Sequence, residues 1–212
     1  METSLERLLS VAGKPLCAEP PVMSQQSLFD TGRLGESLIR LLQGKNGFYA
    51  FESALHVFSS GCRNATQDIE TWNEYDLWKK GYGELLSNYL FFAEDAFGVQ
   101  FGIYSSRVIR FDPESGESEE IANDIEEWAE IILADYDYQT GYSLAHQWQA
   151  KNGALQEGKR LLPKVPFILG GAYEVENLYA EDTLEGMYLR ADIWRQIHDL
   201  PDGAQIELKV IE

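Results

Sequence analysis

The chain has 212 residues and a formal charge of −18, from 17 basic and 35 acidic side chains. An apolar fraction of 44% with 12% aromatics suffices for a packed core, in one domain or a domain with an appended lobe. The charge sets the surface against nucleic-acid phosphates and anionic lipid and in favour of a basic protein, although solubility alone also uses such charge.

No apolar stretch approaches the roughly 20 residues of a membrane span, and residues 1–4 are expected to begin no signal peptide. Cys17 and Cys62 are too few for a disulfide framework and lack metal spacing. They are expected as reduced thiols of a cytoplasmic protein.

In chain order, residues 5–11 suit a short helix, and residues 14–27, with Pro15, Pro20 and Pro21, an extended arm. Leu34, Leu38, Leu41 and Leu42 fall at helical spacing, with Asp30 or Thr31 as the cap and Gly44 at the end. Asn46-Gly47 is a turn between that helix and an aromatic strand at 48–51, and 54–58 reads as another strand. Ile69, Trp72, Tyr75 and Trp78 predict one side of an aromatic helix, closed by Gly81 and Gly83.

Residues 91–111 read as an antiparallel meander. Val99, Phe101 and Ile103 alternate with Gln100, Gly102 and Tyr104, the period of a half-buried strand. Residues 112–116 form a turn, and Ile121, Ile125, Trp128 and Ile132 a helical stripe with Asn123 and Glu126 as a capping box. A second helix is expected at 142–150. After a polar connector at 151–160, residues 161–169 suit an edge strand or covering arm, and Gly170-Gly171 permits a bend. A short strand at 177–179, a helix through Leu184, Met187, Ala191 and Trp194 capped by Asp182, and a last strand through Ile206, Leu208 and Val210 complete the reading.

Few residues offer chemistry. His56, His146 and His198 are far apart in sequence and fit amphipathic edges better than a metal or catalytic set. Glu94-Asp95 has the form of an acid–base pair, but an Asp in a tight turn before Gly98 more simply accepts backbone hydrogen bonds. Gly170-Gly171 lacks the ending of a phosphate loop. No catalytic residue, metal or cofactor is therefore expected. Residues 112–150 contain no Lys or Arg and eleven Asp or Glu. Such a run is either a solvated helix face or a docking surface for a cationic partner.

The sequence of elements resembles a known family. A leucine-rich helix ends in Asn46-Gly47; a tryptophan-bearing segment precedes Phe91-Phe92-Ala93-Glu94-Asp95-Ala96-Phe97-Gly98; then come Arg107-Val108, Asp112-Pro113-Glu114-Ser115-Gly116 and Ile125-Glu126-Glu127-Trp128. This is similar to the SUKH superfamily, which includes bacterial immunity proteins and a fungal cell-wall assembly regulator. The resemblance covers about residues 34–133. It implies an α+β fold with one strongly bent, mostly antiparallel sheet and helices packed against it. The division it suggests is an arm (1–30), a SUKH-like domain (31–150) and an extension (151–212) packed on the same domain.

The function implied is that of a non-enzymatic, intracellular bacterial protein that covers the active surface of a cognate basic toxin domain, a nuclease among the candidates. Binding to an endogenous partner as a regulator or scaffold is the alternative, and a small enzyme or ligand-binding module the third. Glu117, Glu119, Glu120, Glu126, Glu127 and Glu130 are the candidate partner-binding residues.

Overall fold

The computed structural model describes residues 2–62, 67–201, 203 and 204. In chain order these form α1 (Ser4–Val11), α2 (Gln25–Thr31), α3 (Gly35–Gly44), β1 (Phe48–Ala50), β2 (Leu55–Val57), α4 (Ile69–Trp72), β3 (Leu90–Asp95), β4 (Gln100–Tyr104), β5 (Arg107–Phe111), β6 (Ser118–Ala122), α5 (Ile125–Ala134), α6 (Tyr136–Thr140), α7 (Tyr142–Asn152), β7 (Lys159–Pro163), β8 (Leu178–Asp182) and α8 (Thr183–Ile197). The fold is α+β. Strands β1 to β6 form one antiparallel sheet in sequence order, and β7 and β8 form a separate antiparallel pair.

The meander is β3–β4–β5. Every residue of β3 is buried, so both faces of this strand are covered. The half-buried reading of β4 is corrected in one respect: Gln100, on its polar side, is also fully buried. Its amide is satisfied there, accepting from Trp72 Nε1 at 2.9 Å and donating to Gly98 O at 2.9 Å and Glu94 Oε2 at 3.2 Å. Tyr104 and Arg107 pair directly, so Ser105 and Ser106 make a two-residue hairpin with φ of 48° and 58°. Two positive φ values fit a type I′ turn, the turn whose twist matches its strands.

Several local readings change. The aromatic helix expected at 69–78 stops after Trp72, and a 3-10 segment occupies Lys79–Leu86. Trp72 and Trp78 both reach the core, but from separate short elements, while Tyr75 is 46% exposed. The N-cap position of α3 is Leu34, after a 3-10 turn at Gly32–Leu34, rather than position 30 or 31, and Gly44 lies inside the helix. The stripe beginning at Ile121 joins two elements, since Ile121 belongs to β6 and α5 starts at Ile125. Asp124, not Asn123, caps α5, accepting from Glu127 N at 2.9 Å. The strand expected through Ile206, Leu208 and Val210 lies outside the described residues.

The N-terminal arm is anchored. Gly13 N donates to Tyr49 O at 2.7 Å, and Leu16 N to Gly47 O at 2.8 Å. It thus covers part of the edge at β1 that would otherwise offer unpaired backbone groups. Cys17 and Cys62 are joined by a disulfide, with Cα atoms 5.8 Å apart, which corrects the expectation of reduced thiols. Helix α1 docks on α5, where Glu126 accepts from the Ser4 and Leu5 amides.

The C-terminal elements pack on the large sheet. Leu161 N donates to Ala96 O at 2.9 Å, Met187 and Ala191 join the main core, and Trp194 packs 5.1 Å from Tyr82. Gly170 takes the positive φ of 86° that the bend needs, and a Cβ on Gly171 would run into the Val165 carbonyl. Among the described residues no helix is long and apolar enough to cross a membrane.

Candidate functional site

The chemistry-bearing residues fall into two groups. One is a buried polar cluster centred on Glu94; the other is an open cleft floored by Asp95. Consecutive residues of β3 thus have separate tasks.

Glu94 is fully buried and its carboxylate is surrounded by donors. Oε1 accepts from Arg160 Nε at 2.8 Å, Gln67 Nε2 at 2.6 Å and His56 Nδ1 at 3.1 Å. Oε2 accepts from Thr183 Oγ1 at 2.9 Å and Gln100 Nε2 at 3.2 Å. Burial pushes the Glu94 pKa up, but Arg160, His56 and Gln67 hold it down to about 2. Burial lowers His56 to about 4 despite its carboxylate partner, so at neutral pH the ring is uncharged and donates through Nδ1. Arg160 also donates to the carbonyls of Ser53 and Lys159 and lies over the Tyr49 ring at 5.3 Å. With five donors on one carboxylate, this cluster holds the structure together, and its members His56, Gln67 and Thr183 also line a smaller opening of about 330 Å³.

The cleft encloses about 1040 Å³. Its floor comes from the turn after β3. Asp95 Oδ1 accepts from Phe97 N at 2.8 Å and Val99 N at 2.9 Å, and Gly98 supplies a φ of 78°, as the sequence implied. One wall is β5 with the turn that follows it. There Asp112 caps its own turn through Glu114 N at 2.9 Å, and the Glu114 carboxylate accepts from Ile168 N at 3.0 Å. The opposite wall is α6 and α7, which meet at Gly141 with φ of 68°. The third side is residues 167–176, where Phe167 and Tyr173 stack at 3.9 Å, and Arg190 of α8 donates to Phe97 O.

Eight carboxylates line this cleft against three cations, Arg110, Lys151 and Arg190. Lys151 pairs with Glu176 at 2.7 Å, and Arg110 lies 5.4 Å from the Tyr138 ring. Burial raises Asp95 to about 6, an effect that Arg110 and the Phe97 and Val99 amides only partly reverse. Burial likewise raises Glu114.

The six candidate glutamates separate. Glu117 and Glu119 lie on the cleft's rim. Glu120 and Glu130 are exposed, with Glu120 3.8 Å from Arg107. Glu126 and Glu127 are half-buried and used inside the chain: Glu126 receives α1, and Glu127 accepts from Asn123 N at 2.7 Å. The face of α5 turned to the core carries Ile125, Trp128, Ala129 and Ile132.

The three histidines do not converge: His146 pairs with Glu52 at 2.7 Å and His198 stacks on Trp194 at 4.1 Å. Sequence reasoning missed Arg110, Glu114, Tyr173 and Arg190 as neighbours. Their separation along the chain gives no local pattern, and the lack of bases after Asp112 was the only signal near them.

No family model matches the chain, and no curated protein matches it. Among solved structures it is similar to the crystal structure of Atu4351 from Agrobacterium tumefaciens. The two share 16% identity and a TM-score of 0.57, over 88% of this chain and 87% of that one. At that identity the likeness concerns the fold alone.

Proposed function

We propose that the protein is a non-enzymatic binding protein of the SUKH immunity type, which neutralises a cognate basic toxin domain by covering its active surface. The observation that carries this reading is the acidic cleft, with eight carboxylates around aromatic walls and Glu117 and Glu119 at its edge. A concave surface of one sign favours an oppositely charged partner in both encounter rate and choice of partner. It disfavours nucleic acid and anionic membranes for the same reason. Nuclease domains, whose active sites must hold phosphate, are the first toxin class to test.

The reading places the protein in the cytoplasm of the toxin-producing cell. There the Cys17–Cys62 bond faces reduction, so the reduced chain must still bind.

The test is affinity capture from the native host, followed by expression of the captured protein with and without this chain. Toxicity relieved by this chain supports immunity. A captured partner that is harmless alone supports the regulatory alternative. One observation favours a second reading: Asp95 and Glu114 are buried carboxyls with raised pKa values in a ligand-sized cleft, an arrangement also found in small-molecule sites. Turnover or saturable binding of a metabolite by the purified chain would select it.

A further inference from the structure

We infer that the floor of the cleft is a socket for one cationic side chain, lysine or arginine, projecting from the protein partner and pairing with Asp95 and Glu114. The inference rests on the cleft being a protein-docking surface and names what enters it.

Asp95 is 2% exposed and lines the cleft. Oδ1 performs the whole turn-forming task, accepting from Phe97 and Val99. Among the described residues Oδ2 accepts no hydrogen bond and the carboxylate forms no ion pair. An asparagine would serve that turn as well, so the turn does not account for the charge, which meets Arg110 and Arg190 only beyond ion-pair distance. A buried carboxylate without a charged partner is costly unless something satisfies it.

Glu114 is 6% exposed and in a similar position, held by a backbone amide of the 167–169 segment and by no cation within ion-pair distance among the described residues. The chain's own cations are engaged elsewhere. Arg190 donates to Phe97 O, Arg110 faces Tyr138, and Lys151 pairs with Glu176. None closes on Asp95, although Arg110 and Arg190 are near enough to lower its pKa.

The cleft that these two carboxylates line is therefore negative and bordered by rings. Phe97 and Phe167 meet edge-to-face at 5.8 Å, and Tyr173 stacks on Phe167. Rings of this kind accommodate the methylene stem of Lys or Arg while the carboxylates receive its head. An anion would instead meet Asp95, Asp112, Glu114 and Asp137 across the cleft, with two arginines already committed.

The experiment needs no partner. The whole chain is titrated with n-butylammonium, n-butylguanidinium or n-butanol, and the amide NMR signals of Phe97, Gly98 and Val99 are followed. We expect saturable shifts with one or both cations, which distinguishes a lysine from an arginine socket, and none with butanol. Asp95→Asn, which keeps the turn acceptor, should weaken cation binding at least about fivefold. Glu114→Gln should weaken it in the same direction, and covers the case in which the first variant fails to fold.

Lowering the pH from about 7 to about 5 protonates most Asp95 and should weaken wild-type binding without any substitution. The charged groups that line the cleft with Asp95 are Asp112, Glu114 and Asp137, with Arg110 and Arg190 opposite them in sign, and of these carboxyls burial raises Glu114 as well. Equal shifts with butanol, unchanged affinity in folded Asp95→Asn, or pH-independent cation binding would overturn the socket. Neutralisation of a captured toxin by Asp95→Asn at unchanged Kd removes the socket and leaves the immunity reading standing. Cation binding with no toxic partner does the reverse.

Discussion

Glu94 Oε1 and Arg160 Nε are 2.8 Å apart, with side chains 0% and 1% exposed. This contact fastens β7 to the middle of the large sheet, and Thr183 at the start of α8 joins the same carboxylate. Removing one partner of such a pair leaves a buried charge with incomplete compensation, at a cost of about 3–5 kcal/mol. Arg160→Met should therefore lower stability by that amount in denaturant unfolding. Adding Glu94→Gln to it should cost less than the sum of the two single changes, because the stranded charge is then gone.

The same cluster sets the acid limit of the fold. Glu94 is held at about 2, below the ordinary 4.5, so its contribution is present above 4.5 and lost as the pH falls towards 2. His56 is lowered from 6.5 to about 4, so the unfolded chain takes up a proton that the folded chain refuses, and stability falls through that interval too. Asp95 acts oppositely: raised from 3.8 to about 6, it makes the fold relatively more stable once protonated. Between about pH 6 and 4 the His56 and Asp95 effects oppose each other over nearly the same span, so the thermal midpoint should stay nearly level there and decline below about pH 4.5, where Glu94 is lost. His56→Gln should leave the Asp95 effect unopposed, so that the midpoint rises as the pH falls from about 6 to 4.

The β4–β5 hairpin holds Ser105 and Ser106 at φ of 48° and 58°. Left-handed backbone costs a non-glycine residue roughly 1–2 kcal/mol. Ser105→Asn with Ser106→Gly should therefore stabilise the chain by about 1 kcal/mol in equilibrium unfolding, without changing the sheet. At Gly141 the sign reverses. Its φ of 68° and the Phe97 ring facing it leave no room for a Cβ, so Gly141→Ala should destabilise by about 2 kcal/mol and disturb the cleft wall.

Reducing the Cys17–Cys62 bond frees a loop of 45 residues' separation. The chain-entropy account sets the loss at about 4 kcal/mol. None of the residues lining the cleft lies between the two cysteines. Reductant should therefore lower the thermal midpoint while leaving partner affinity unchanged, measured by unfolding and by titration on the same sample.

The meander was legible because its signal is local. Alternation in β4, Gly98 after Asp95, and the Asp112–Gly116 turn each sit within a few residues. Helix α8 was legible from its Asp182 cap and apolar stripe. The aromatic stripe from Ile69 misled because two separate elements carry core tryptophans at a spacing that imitates one helix. Strand β6 was hidden because Ile121 extends the α5 stripe in register.

The disulfide and the Glu94–Arg160 pair depend on chain closure over 45 and 66 residues, which no local pattern records. Of the acidic run at 112–150, Asp112, Glu114, Glu117, Glu119 and Asp137 line the cleft. Sequence alone did not separate glutamates engaged inside the fold, such as Glu126 and Glu127, from those at the cleft, such as Glu117 and Glu119.

The division of the glutamates is itself testable. Glu117→Lys with Glu119→Lys should weaken the complex with a captured toxin by about tenfold or more, chiefly through slower association. Glu126→Gln should leave that affinity unchanged and lower stability instead, since it loosens α1 from α5.

The most direct test of charge-guided occlusion is the Kd of that complex measured from about 50 mM to about 500 mM salt, over which the screening length shrinks from roughly 14 Å to roughly 4 Å. The account predicts a progressive loss of affinity, dominated by the association rate and smaller in the Glu117→Lys, Glu119→Lys chain. A Kd that stays constant across that range, equal for both chains, would contradict it.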